Sequence, residues 1–84
     1  MKVKFIVARG KGIILGDKEF KSDQHCHIAK TNKVKEEDVL GGGIADLTDE
    51  VIFGKSYAYG PYKPEKIRQL LPDWLVEEPS DYEN

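Results

Sequence analysis

The first strand of this chain limits its fold more than any other segment. Val3, Phe5 and Val7 alternate with Lys4, Ile6 and Ala8, so residues 3–8 read as a β-strand buried on both faces. A single lysine intrudes among its apolar neighbours. With 84 residues the chain is one domain with a small core. Residues 1–77 are expected to fold as that unit, and 78–84 to form a flexible acidic tail.

The remaining segments follow from local chemistry. Gly10 to Gly12 makes a turn, residues 13–15 a second strand, and Gly16-Asp17 another turn. Ser22 and Asp23 are both good N-cap residues, and residues 24–33 lack Gly and Pro, which predicts a short helix with His25 in its first turn. Residues 39–44 read as a strand whose three glycines, Gly41, Gly42 and Gly43, permit close backbone approach or a bulge. From 51 to 60 a further strand presents Val51, Phe53, Lys55, Tyr57 and Tyr59 on one face. Ile52, Gly54, Ser56, Ala58 and Gly60 form the other, smaller face. Pro64 suits a first helical position, Ile67, Leu70 and Leu71 make an i, i+3, i+4 stripe, and Pro72 ends the helix before a last strand at 74–76. The expected fold is α/β, α+β-like, a small mixed β-sheet of about five strands flanked by two helices.

Composition narrows the function. Thirteen Lys+Arg against fifteen Asp+Glu give a net charge of -2, so the chain lacks the positive field of a general nucleic-acid binder. Cys26, the one cysteine, leaves no internal disulfide and suits a reducing compartment, so a cytoplasmic location is expected. The longest apolar runs, 5–8 and 13–15, are far too short for a bilayer, and no leader-like region precedes them. Neither a nucleic acid nor a membrane is expected as a partner. No long apolar face is left over, which suggests a monomer.

Several residues carry chemistry. Ser56 offers a hydroxyl and, with Tyr57 and Ala58, backbone N–H groups beside a small face with room for a tetrahedral anion. The bland alternative is that Gly54, Ser56 and Ala58 are small because a helix packs closely over them. His25 at a helix start stands near unpaired N–H groups that attract phosphate and favour neutral imidazole, the form a base or nucleophile needs. His27 lies about 200° further around a regular helix, so both histidines cannot face one phosphate. The His25-Cys26-His27 spacing does not suit a metal on one helical face, and Cys26 reads as a packing residue. Lys4 is costly in an apolar strand unless its ammonium reaches water or an anion. Lys55, Tyr57 and Tyr59 face away from Ser56. The glycine triplet is no phosphate loop, because no Gly-Lys-Ser/Thr follows it.

The run Val39-Leu40-Gly41-Gly42-Gly43-Ile44, then Phe53-Gly54-Lys55-Ser56-Tyr57-Ala58-Tyr59-Gly60-Pro61 and Glu65-Lys66-Ile67, resembles the C-terminal signature of the protein histidine phosphatase (Janus/Ocnus) family. Upstream, Lys4 and a His-x-x-Ile context formed by His25 and Ile28 resemble that family's other active-site positions. The resemblance implies a mixed sheet flanked by helices and hydrolysis of P–N bonds, phosphohistidine on a protein or peptide above all, without metal or cofactor. It implies His25 as the catalytic base or nucleophile and Lys4, Ser56, Tyr57 and Ala58 as substrate-binding residues. His27, Gly42 and Gly43 are further candidates. Two positions depart from the family pattern: Ile44 stands where animal members carry arginine, and His27 where they carry an acid. The segments before His25 and before the glycines are also shorter. A non-catalytic phosphate-binding or protein-interaction module of the same fold is the alternative reading.

Overall fold

The computed structural model describes residues 1–81. Five strands and two α-helices occur in the order β1 (Lys2–Ala8), β2 (Gly12–Leu15), α1 (His25–Thr31), β3 (Val39–Asp46), β4 (Val51–Phe53), α2 (Pro64–Leu70) and β5 (Leu75–Val76). They form one sheet in the order β2-β1-β3-β4-β5. Pairing is antiparallel except between β4 and β5, which run parallel with α2 as their crossover. The sheet is therefore mixed and flanked by two helices, as its sequence pattern predicts.

Period-two alternation divides β1 between two cores. Val3, Phe5 and Val7 join Ala45, Ile52, Tyr62, Val76 and the α2 residue Ile67 on one face. Ile6 joins Ile28 and Ala29 of α1 on the other, with Ile14, Val34, Val39 and Tyr59 packed around them. The helices thus cover opposite faces. Lys4 lies on the α1 side, paired in register with Ile44, while Ile6 pairs with Gly42.

Two local outcomes differ from the sequence pattern. The strand expected to run from 51 to 60 ends at Phe53, because Gly54 takes a positive φ of 73° and turns the chain out of the ladder. Neither Ser22 nor Asp23 caps α1. Ser22 closes a 3-10 turn over Phe20–Ser22, and Gln24 occupies the cap with no side-chain bond. Within the stretch expected as a flexible tail, residues 78–81 take no helix or strand and make surface contacts. Ser80 N–H donates to the Gly54 carbonyl (3.3 Å), Arg68 lies 3.8 Å from Glu78, and Lys55 pairs with Asp81 at 2.9 Å. The rest of that expected tail, 82–84, lies outside the described residues.

Candidate functional site

The glycine triplet organises the site by what its missing side chains let in. Register shifts between Val7 and Ala8, whose partners are Gly41 and Val39, so Leu40 is the extra residue of a bulge. Gly41 follows with φ of 146°, and a methyl group there would run into the Pro61 carbonyl. At Gly42 a methyl group would run into the Phe5 carbonyl at 2.5 Å and stand 2.9 Å from His25 Cδ2 and 3.3 Å from Ser56 Cβ. One at Gly43 would meet the Tyr62 ring at 2.9 Å, on the opposite face. His25 and Ser56 therefore crowd the same α-carbon, from α1 and from the loop after β4, at a place where only hydrogen fits.

Ser56 is the hub of a tight turn. Its N–H donates to the Gly42 carbonyl (3.0 Å), its carbonyl accepts from Gly60 N–H (2.8 Å), and its Oγ accepts from Tyr59 N–H (3.0 Å). Gly42 N–H donates in turn to the Gly60 carbonyl at 3.2 Å, fastening the loop to β3. Ser56 is only 1% exposed, whereas Tyr57 and Ala58 project at the exposed tip. Lys55 lies 5.7 Å over the Tyr57 ring and salt-bridges Asp81, whose carboxyl is held below the usual range by that lysine. Tyr59 turns inward and packs against the α1 core.

His25 is the first residue of α1 and 5% exposed. Its Nε2 lies 2.9 Å from the Gly43 carbonyl. A carbonyl can only accept, so Nε2 carries the proton and the neutral ring keeps its lone pair on Nδ1. Burial pushes the imidazole below its ordinary 6.5. The Gly43 bond acts against that, Lys4 adds to it through its charge, and Asp23 opposes it. At seven residues α1 has little macrodipole to offer an anion, so the neutral form owes more to burial than to the helix end.

Lys4 does not snorkel into open solvent. Its Nζ donates to the Asp23 backbone carbonyl (2.8 Å) in half-buried surroundings, and among the described residues the other two ammonium hydrogens have no partner. The structure thus gathers Lys4, His25, Gly42 and Ser56 on the α1 side of the sheet, with the Gly43 carbonyl bonded to His25 and Tyr57 and Ala58 at the adjoining loop tip. It does not bring His27 to them. His27 is exposed, 3.4 Å from Thr31 Oγ1, beside a shallow depression lined by Leu15, Gly16 and Asp17. Cys26 is half-buried outside both cores, its thiol donating to Gln24 Oε1 at 3.4 Å. Ile44 is fully buried.

Asp23 matters more than its sequence position suggests. It is 6% exposed, and its Oδ1 accepts Gln24 N–H at 2.8 Å. Its Oδ2 is buried without a hydrogen-bond partner among the described residues. The sequence signal was the lysine in an apolar strand, which calls for an acceptor or water, but nothing along the chain singles out the Asp23 backbone carbonyl as its partner. Among the described residues, no group of three or more His, Cys, Asp or Glu is placed to hold a metal ion, and no helix is long and apolar enough to cross a membrane. Comparison with known proteins finds no matching family model, curated protein or solved structure.

Proposed function

We propose that this chain is a phosphate-handling domain and, within that class, a metal-independent phosphatase that hydrolyses P–N bonds, phosphohistidine on a protein or peptide being the substrate. One observation carries the reading: His25 and Ser56, far apart in sequence, crowd the same glycine on the side of the sheet that also holds Lys4. Separated residues with complementary chemistry, gathered at one point, are what phosphoryl transfer needs, since its catalysis is positioning plus charge stabilisation.

The roles follow from the contacts. With Nε2–H donating to Gly43, the His25 lone pair at Nδ1 accepts a proton from water as its oxygen bonds phosphorus. The P–N bond breaks and the departing nitrogen takes up a proton, so inorganic phosphate and the free amine or imidazole are the products. In the covalent variant Nδ1 itself attacks phosphorus, and water then cleaves the enzyme's phosphohistidine. The Lys4 ammonium and the Ala58 backbone N–H at the loop tip are the donors for the non-bridging oxygens.

The low exposure of His25 and Ser56, and their engagement with Gly43 and Tyr59, favour a second reading. In it the same groups hold the fold together and the loop tip binds phosphate without turnover. Release of inorganic phosphate from a phosphohistidine peptide separates the two. The phosphatase reading expects turnover that His25→Ala reduces by about 10²- to 10⁴-fold. Equal rates in the two proteins would remove His25 from the chemistry, and binding without release would leave the module.

A further inference from the structure

We propose that Asp23 is the positioning residue of this site: its backbone carbonyl holds the Lys4 ammonium, its Oδ1 holds the peptide that enters His25, and its buried carboxylate sits between the two. The inference rests on the proposed function only in calling the place a site; the couplings belong to the fold.

Three atoms of Asp23 have three distinct situations. The backbone carbonyl accepts from Lys4 Nζ on β1 at 2.8 Å. Oδ1 accepts from Gln24 N–H at 2.8 Å and so fixes the peptide that leads into His25. Oδ2 is buried with no partner among the described residues, close under Gly16 and Ile28. The two hydrogen bonds explain a backbone carbonyl and one side-chain oxygen; an asparagine would supply both. What asparagine would not supply is charge. A buried carboxylate with an unquenched oxygen is costly, and its field is felt by neighbours more strongly than in water.

The neighbours that feel it can be named. His25 is faced by Lys4 from β1, by the Asp23 carboxylate from the turn before α1, by the Gly43 carbonyl from β3 and by Ser56 from the loop after β4. Burial and the Gly43 carbonyl weigh most on the imidazole; Lys4 and Asp23 are the charged members, and they add lesser effects of opposite sense. Lys4 is tethered to the Asp23 main chain, so the two opposing charges are locked at a fixed offset from each other and from the ring. Removing either charge while keeping its neighbour unbalances the ring in a known direction.

The test is an NMR titration of the His25 imidazole in the full chain. Asp23→Asn retains the Oδ1 acceptor and removes the charge, and it is expected to move the His25 midpoint to lower pH. Lys4→Met is expected to move it to higher pH. A midpoint unchanged in a folded Asp23→Asn protein overturns the proposal, and so does an unchanged midpoint in Lys4→Met should the first variant fail to fold. Turnover of the phosphohistidine peptide is read alongside. Shifted midpoints without any wild-type turnover support the positioning role and sink the phosphatase reading. Turnover with unmoved midpoints does the reverse. Where both hold, the acid limb of the rate profile moves with the midpoint.

Discussion

The two faces of the sheet are built on different principles. Under α2 the core is almost wholly aliphatic and aromatic, and its polar atom, the Tyr62 hydroxyl, donates to the Glu77 carbonyl at 2.7 Å. Burial pushes that phenol up to about 12. Under α1 the apolar cluster shrinks to Ile6, Ile28 and Ala29, and beside it lie the buried polar residues Asp23, His25 and Ser56 with half-buried Lys4. A domain this small has little apolar area to spare, so using half of one face for polar groups is a real loss of stabilisation. The difference teaches where stability and chemistry have been separated: one face holds the strands together, the other holds reactive groups in place.

Three measurements break or sharpen that contrast. Phe5 is fully buried and meets Tyr62 with ring centroids 5.7 Å apart, so Phe5→Ala should cost about 3–5 kcal/mol in urea unfolding. Ile28→Ala on the α1 face should fall nearer the low end for a large apolar residue, about 2 kcal/mol. Equal costs would mean that the faces share the load. Next in size, Gly42→Ala drives a methyl group against the Phe5 carbonyl, His25 and Ser56 and should lose about 1–3 kcal/mol by overpacking. Its turnover should fall more than its stability accounts for. A stable variant with full turnover would detach the glycine contact from function.

The smallest effect is the pH dependence. Because burial lowers the His25 pKa in the folded state, the unfolded chain binds the proton first as pH falls. The stability held by neutral His25 is therefore complete above about 6.5 and is lost as pH drops from there through the lower folded value. His25→Gln should flatten that part of the curve in denaturant melts taken from pH 7.5 to 5. An unchanged slope would show that His25 is no less readily protonated in the folded protein than in the unfolded one.

How legible all this was depended on whether a signal was periodic. The apolar alternation of β1 and the Pro64-to-Pro72 frame of α2 are repeated signals, and both elements lie where those patterns put them. The alternation from 51 to 60 misled because it continues smoothly across Gly54, and a single positive φ leaves no mark on polarity. The cap of α1 misled for a related reason: Ser22 and Asp23 both qualify by residue type, yet Phe20 is buried, which draws residues 20–22 into a 3-10 turn and moves the cap to Gln24. The glycine triplet was readable as close approach or bulge, and it is both. That His25 and Ser56 approach one another was implied by the family resemblance alone, because nothing in either residue's neighbourhood names the other.

The strand order has a consequence for life among other proteins. β1, the most adhesive stretch in the chain, lies between β2 and β3, and the margins of the sheet fall to β2, with four residues, and β5, with two. Cross-chain strand stacking draws on uninterrupted segments of about six or seven residues. Neither rim offers one, so a crowding neighbour finds too little free ladder to recruit this chain into an aggregate.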